Sequence, residues 1–485
     1  MSDNQSLQKK TVFGALWKFA ERASAQIVNF IVSIILARLL LPEDYGIIAL
    51  VSVFITICDK LVVSGFAASL IQKKDADNLD FSTVFFFSLS TSLVLYALLF
   101  FGAPLLAKFY SAYDQAMLIA VIRVMGIQII ATAVNSVQQA YVSRTMQFNK
   151  TLYSTLISTV LSAAIGIWTA CAGYGVWALV AQYCVNVVTV MVVLWIVVRW
   201  RPDFAFSVER FKSLFSYGWK LFCVSIIAVL YRDFSSLVIG KFYTSADLAY
   251  YNKGQSFPLL VESNVSGTIE SVLFPAIAKR QTSKEDMLAI LRRAIKTSVY
   301  ILMPLLAGMA AVAEPLVVLL LTDKWLPCVP YMQILCFTFM FMPIEIDNLQ
   351  AIKAMGRSDI ALKVEIIRKA IGIAILIAAI PFGVTAIALS MLLGAVINAT
   401  VNAIPNKKLL GYGVGKQIWD VLPSLLMSAA MFACVYPLAM LPLGNIPTLA
   451  IQVAVGAVVY VALSLITKNE SMRYILAILK KGKKK

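Results

Sequence analysis

The chain of 485 residues is 60% apolar and only 14% charged, carries a net charge of +17 and contains no histidine. Its mean hydropathy is +0.83. A soluble domain is about 45–50% apolar and about 25% charged, so much of this surface has to face lipid. Without histidine, Ser/His and Cys/His catalytic pairs and the commonest zinc ligand are excluded. The seven cysteines (Cys58, Cys171, Cys184, Cys223, Cys328, Cys336, Cys434) lie in or beside apolar runs and never in C-x-x-C spacing, so they read as packing residues. No cofactor or metal is implied.

In chain order, the polar start Met1–Lys10 leads into an apolar run with no small-residue cleavage site, which predicts a retained N-terminus. Fourteen runs are long and apolar enough to cross a bilayer as helices, where every backbone polar group has to be bonded within the segment. They are 12–37, 46–70, 83–107, 117–142, 151–172, 175–198, 215–240, 250–276, 288–313, 316–350 (interrupted at Trp325–Pro330), 361–380, 383–404, 418–440 and 446–467. The expected fold class is an all-α polytopic membrane protein.

The loops between these runs fall alternately into two sets. The N-terminus, 71–82, 143–150, 199–214, 277–296, 351–363, 405–417 and the tail from 468 hold 29 of the 42 Lys and Arg residues. The other set holds only Arg38, Lys108, Lys241 and Lys324. The positive-inside rule makes the first set, and both termini, cytoplasmic. The basic tail Lys480–Lys485 then lies at the anionic inner leaflet, as an electrostatic anchor rather than a nucleic-acid site. No loop exceeds about 20 residues, which leaves no room for an extramembrane catalytic domain, so a non-enzymatic function among the helices is expected.

Three echoes suggest duplication. Gly14-Ala-Leu-Trp-Lys-Phe19 is echoed by Tyr217-Gly-Trp-Lys-Leu-Phe222, the pair Asn135 and Arg144 by Asn348 and Arg357, and Gly175-Val-Trp-Ala-Leu by Gly383-Val-Thr-Ala-Ile, at offsets of 202, 213 and 208. Each offset covers about six helices, an even number, so the halves share an orientation as parallel repeats do. The expected organisation is an N-lobe at 1–213, a C-lobe at 214–409 and two further helices with the basic tail at 410–485.

Ionisable groups inside the spans carry the functional reading, because a charge at the bilayer centre costs about 2.5–3.5 kcal/mol and normally faces a partner or a wet cavity. The first span places Lys18, Arg22, Gln26 and Asn29 on one helical stripe, with Glu21 beside it. The second carries Asp59 and Lys60, and the fourth Arg123 with the stripe Gln128, Thr132, Asn135 and Gln139. The seventh has Lys220 and Arg232-Asp233, and the eighth Asn252, Lys253, Glu262 and Glu270. Seven bases (Lys18, Arg22, Lys60, Arg123, Lys220, Arg232, Lys253) face five acids (Glu21, Asp59, Asp233, Glu262, Glu270). A basic lining suits an anionic solute. Two plainer readings stay open: Lys18 and Lys220 sit near span ends where they can snorkel, and Glu21-Arg22, Asp59-Lys60 and Arg232-Asp233 can be structural pairs. Trp177, Trp195, Trp200, Trp325 and Trp419 read as interface-belt residues.

The segments Gly14-Ala-Leu-Trp, Ile34-Ile-Leu-Ala-Arg-Leu-Leu-Leu-Pro-Glu-Asp-Tyr-Gly46 and Gly65-Phe-Ala-Ala-Ser-Leu-Ile-Gln72, with Asn348…Gly356-Arg357 and Gly175-Val-Trp-Ala-Leu, resemble the polysaccharide transporter family. These are the Wzx-like lipid-linked oligosaccharide flippases of the MOP superfamily, here of the colanic or teichuronic acid exporter type. The resemblance implies two six-helix lobes plus two helices in a bacterial inner membrane. It also implies flipping of undecaprenyl-pyrophosphate-linked repeat units by alternating access. The basic lining suggests a mechanism: the pyrophosphate is drawn to Lys18, Arg22, Lys60 and Lys220, and H⁺ or Na⁺ at Asp59, Asp233, Glu262 or Glu270 biases the lobes. A cation-coupled multidrug exporter of the MATE type, the alternative, would want a net acidic cavity. A membrane glycosyltransferase would need longer loops than 108–116 and 241–249.

Overall fold

The structure is a computed structural model that describes residues 2–63, 65–73, 75–280 and 283–482; side chains at 2–16, 19, 68, 217, 220, 221, 270–272 and 478–482 lie outside the description. Among the described residues the chain is helical throughout, with no strand. It divides into two compact units, Met1–Ala249 and Tyr250–Lys485.

The first unit contains α1 (Ser2–Leu39), α2 (Pro42–Val63), α3 (Phe66–Gln72), α4 (Asn78–Phe109), α5 (Gln115–Thr145), α6 (Phe148–Cys171), α7 (Val176–Val197) and α8 (Val208–Phe242). Local chemistry fixes the helix starts. Pro42 opens α2, with Glu43 and Asp44 in its first turn. A capping box between Asp77 and Asp80 opens α4, and Ser207 caps α8 at the amide of Arg210.

The run expected at 46–70 is broken at Gly65, which has φ 93° and separates α2 from α3. A Cβ on Gly65 would stand 2.2 Å from the carbonyl oxygen of Gly218, so both the backbone conformation and the approach of α8 require glycine. Beside this crossing lies an aromatic core of Phe66, Phe81, Phe85 and Trp200. Its polar rim is closed by the fully buried Asp80, which holds Lys73 at 2.6 Å and Arg210 at 3.4 Å.

The second unit begins within α9 (Ser245–Ala278) and continues through α10 (Lys284–Ala311), α11 (Ala313–Leu321), α12 (Val329–Phe339), α13 (Met342–Ala354), α14 (Ser358–Ala379), α15 (Val384–Leu410), α16 (Val414–Val435), α17 (Asn445–Ile466) and α18 (Glu470–Gly482). The expected interruption near Trp325–Pro330 is a 3₁₀ turn, Asp323–Cys328, leading into α12. Trp325 is fully buried there and Trp200 is buried in the first unit, so neither is a belt residue, whereas Trp419 is 75% exposed.

Twelve stretches among the described helices are long and apolar enough to cross a membrane. Apolar side chains such as Phe101, Leu105, Trp168 and Val458 stand exposed along them, a surface that only lipid can cover. The chain is thus a multi-pass membrane protein. The fourteen runs read from the sequence differ from these twelve at α9 and α14, continuous helices of 34 and 22 residues. Their polar side chains, Lys253 and Glu262 in α9 and Glu365, Arg368 and Lys369 in α14, are what lower their apolarity.

Two turns repeat between the units. Helix α5 ends on Met146 at φ 56° and α13 on Gly356 at φ 75°. The amide that follows each donates five residues back, Gln147 to Val142 at 3.0 Å and Arg357 to Ile352 at 3.2 Å. Gly175 (φ 55°) and Gly383 (φ 98°) then stand immediately before α7 and α15. The same chain reversal is thus built twice, from α5–α6–α7 and from α13–α14–α15.

Candidate functional site

In the first unit, α1 packs along α6, and Glu21 is the polar joint between them. Its carboxylate accepts from the hydroxyls of Thr151 at 3.0 Å and Thr155 at 3.1 Å. It also pairs with Lys18 at 2.9 Å. Lys18 remains 47% exposed at its side chain, with its ammonium 5.5 Å from the Phe148 ring centroid. Arg22 and Asn29 are exposed and Gln26 is half-buried. The stripe read from 18, 22, 26 and 29 therefore presents Arg22 and the amides of Gln26 and Asn29 beside a joint that engages Glu21 and, through its ion pair, the still half-exposed Lys18.

Helix α2 contributes Asp59, half-buried, and the exposed Lys60. The hydroxyl of Thr132 on α5 faces Asp59, while the carboxylate's Oδ1 is buried with no hydrogen-bond partner among the described residues. A buried carboxylate oxygen in that state is costly unless a proton, water or cation reaches it. On α8, Arg232 grips Asp233 through two bonds of 2.8 Å and leaves its own side chain 63% exposed.

Other predicted positions are consumed by packing. Arg123 donates to the Phe100 carbonyl at 3.2 Å and stacks 4.4 Å from that ring centroid. Asn135 donates to the Val187 carbonyl at 3.3 Å, tying α5 to α7. Gln139 is exposed. The side chains of Lys220 and Glu270 lie outside the described residues.

The second unit holds the rest. Lys253 is buried, 5.6 Å from the Trp325 ring centroid. Asn252 is half-buried on the same helix, and Glu262 is buried two turns further on. Here the structure adds a cluster that the sequence reading passed over. Arg368 of α14, 7% exposed, pairs with Glu345 of α13 and, at 3.1 Å, with Glu365. Lys369 reaches Glu365 at 3.3 Å, and Asn402 of α15 donates to the Glu345 carbonyl at 3.1 Å. Glu262 is near enough to act electrostatically on Glu345. The signal was present as Glu365, Arg368 and Lys369 at i, i+3 and i+4 in an apolar run, but Glu345 could be joined to it only by knowing that α13 packs on α14.

Beneath this cluster Asn348, Gln417 and Asn406 bond one another at 2.6–2.9 Å. The echoed residues thus serve different ends. Asn135 bonds backbone and Asn348 a side-chain network; Arg144 caps the Leu70 and Lys73 carbonyls and Arg357 pairs with Asp359. Among the described residues no group of carboxylates and thiols could hold a metal ion.

Twelve membrane-length helical stretches among the described residues, with ionisable groups such as Glu21, Asp59, Arg232 and Arg368 set within helices, define a polytopic transporter-type fold. Residues 35–330 match the family described as "Polysaccharide biosynthesis protein", and the chain belongs to that family. It is 24% identical over 474 residues to the succinoglycan biosynthesis transport protein ExoT of Rhizobium meliloti (strain 1021), covering 95% of this chain and 94% of that one. It is 23% identical to the teichuronic acid biosynthesis protein TuaB of Bacillus subtilis (strain 168), over 73% and 74% of the two chains. To the lipopolysaccharide biosynthesis protein WzxC of Escherichia coli (strain K12) it is 24% identical, over 88% of each.

Among solved structures, the inward closed conformation of the lipid II flippase MurJ superposes with a TM-score of 0.77 at 14% identity, covering 94% of this chain and 100% of that one. An inward-facing MATE-family multidrug transporter of the MOP superfamily gives 0.60 at 15% identity, over 84% and 95%. The fold is the one these two structures share.

Proposed function

We propose that the protein flips polyprenyl-pyrophosphate-linked oligosaccharide repeat units across a bacterial inner membrane, by alternating access, for surface polysaccharide export. The observation that carries this reading is membership of a polysaccharide biosynthesis family in a chain whose first unit leaves cations, Lys18, Arg22 and Lys60, exposed along its helices. The names of ExoT, TuaB and WzxC support polysaccharide precursors as the cargo, and the MurJ-like fold supports a lipid-linked one. The same cations disfavour a MATE-type drug exporter, whose cationic cargo they would repel.

In this reading the pyrophosphate meets Lys18, Arg22 and Lys60 near the inner mouth, the glycan occupies the wet interior and the polyprenyl tail stays in lipid. Lys220 joins this set on the sequence argument alone. The lobes that rock are 1–213 and 214–409, with 410–485 appended, and both termini are cytoplasmic. Protonation or Na⁺ binding biases the two arrangements at Asp59, whose Oδ1 has no hydrogen-bond partner among the described residues, with Asp233, Glu262 and Glu270 as further candidates. No chemical step on the cargo is involved.

The test is complementation of a bacterial strain lacking its own repeat-unit flippase, scored by surface polymer and by the lipid-linked intermediate that accumulates inside. Wild type restores polymer and clears the intermediate, while Lys18→Gln/Arg22→Gln, inserted at normal levels, does neither. Full transport by the double variant removes both residues from the site. Clearance of a cationic dye without polymer favours the drug-export reading.

A further inference from the structure

At the end of the second unit that carries the basic 277–296 turn, α9 and α10 diverge around a cavity of about 750 Å³. A second cavity of about 400 Å³ shares its Arg293 and Tyr474 wall. The upper walls are apolar: Ile269, Leu273 and Ile290. The mouth is charged, with Lys279, Arg280, Arg293 and Asp286 on its rim.

Helix α18 borders the cavity through Tyr474. It follows the end of the α17 span at Ile466 by three residues and has Met472 and Ile475 half-buried beside the exposed Arg473, which is the pattern of a helix lying in a membrane interface. Three contacts hold it on α10. Lys296 pairs with Glu470 at 2.6 Å, the Ser471 hydroxyl donates to the Lys296 carbonyl at 3.3 Å, and the Arg293 guanidinium lies 4.7 Å from the Tyr474 ring centroid.

The cations that hold the structure differ from those that line the cavity without an ion pair. Arg292 binds Asp420 at 2.5 Å and Lys296 is shared between Asp420 and Glu470. Arg280 is paired with Asp286 at 2.8 Å. Lys279 and Arg293, both exposed, carry no ion pair among the described residues. An apolar slot with two uncompensated cations at its interfacial mouth is complementary to one kind of molecule, an amphiphile with an anionic head and acyl chains.

We propose that this cavity is a binding site for an anionic phospholipid of the leaflet facing the basic loops, with Lys279 and Arg293 holding the phosphodiester, Tyr474 covering it and the chains lying along α9 and α10. The assignment stands independently of the transport reading.

The test is native mass spectrometry of the full-length protein in detergent, titrated with phosphatidylglycerol and, separately, with phosphatidylcholine of the same chains. Phosphatidylglycerol is expected to bind about tenfold or more tightly. Each basic charge near the surface is worth about 1 kcal/mol, so Lys279→Gln loses roughly fivefold of that affinity and Lys279→Gln/Arg293→Gln roughly twenty-five-fold. Lys279→Gln touches none of the contacts that dock α18, so its loss cannot be charged to misplacement of that helix. Equal binding of the two lipids, or variants that keep the wild-type preference, overturns the proposal. Competition by glycerol phosphate makes this a site for a soluble anion, and displacement by undecaprenyl phosphate at equal concentration makes it a carrier-lipid site. Either outcome overturns the phospholipid assignment.

Discussion

The salt bridge between Arg368 and Glu345 offers a sharp test of how the second unit is held together. Arg368 is 7% exposed within a helix flanked by α13 and α15, and its Nε is buried without a hydrogen-bond partner among the described residues. Arg368→Met keeps the length and apolar stem of the side chain but leaves the largely buried Glu345 carboxylate unpaired. Breaking a buried pair in this way costs about 3–5 kcal/mol, whereas removing both charges together is close to neutral. For a body of 150–250 residues, 1 kcal/mol is worth about 2–4 °C, so the single variant melts roughly 6–20 °C below wild type. Arg368→Met/Glu345→Gln recovers most of that loss, because Glu365 retains Lys369 at 3.3 Å. The assay is thermal unfolding of detergent-purified protein followed by size-exclusion chromatography. A single variant that melts with wild type, or a double variant that loses the sum of both singles, refutes the reasoning.

Gly65→Ala forces a Cβ to within 2.2 Å of the Gly218 carbonyl oxygen at φ 93°, and it lowers the melting temperature far more than Gly218→Ala, whose Cβ meets the opposing backbone at 3.0 Å. Asp80→Asn removes a fully buried charge from the partly exposed Lys73 and Arg210 and destabilises the first unit by about 1.5–3 kcal/mol through the lost charge-assisted hydrogen bonds, read in the same melting assay. Docking of α18 is pH-dependent: Lys296 holds the Glu470 carboxyl below its ordinary value. The stabilisation is therefore complete above about 4.3, the unperturbed value for glutamate, and is lost as pH falls through the lower folded-state value. A spin label at Ala477→Cys should be equally restrained at pH 7 and pH 5 and loosen only below about pH 4; loosening between 7 and 5 contradicts the assignment.

Much of this architecture is legible in the chain because membrane helices have to satisfy their own backbone, so length and apolarity mark them directly. The turns are legible for a similar reason. Gly175, Gly383 and Gly356 occupy backbone conformations that side chains resist, and they punctuate the sequence at matching intervals. What the sequence hides is which polar groups are consumed by packing. Arg123 and Asn135 looked like lining residues, yet each satisfies a carbonyl of a neighbouring helix. Lys253 looked like its companions and is instead buried against Trp325. The Arg368 cluster was missed because its acids come from different helices, and pairing across helices leaves no periodic trace. The break at Gly65 was invisible for the same reason, since the backbone it meets lies far along the chain at Gly218.

The central claim is tested most directly by reconstituting the purified protein in proteoliposomes with an undecaprenyl-pyrophosphate-linked oligosaccharide and following its arrival in the opposite leaflet with a membrane-impermeant glycan oxidant. Wild-type protein is expected to expose the glycan at a rate well above protein-free vesicles, and Lys18→Gln/Arg22→Gln to fall back to the protein-free rate. Correctly inserted wild-type protein that leaves the glycan on its original side, while exporting a cationic drug from the same vesicles, would contradict the account.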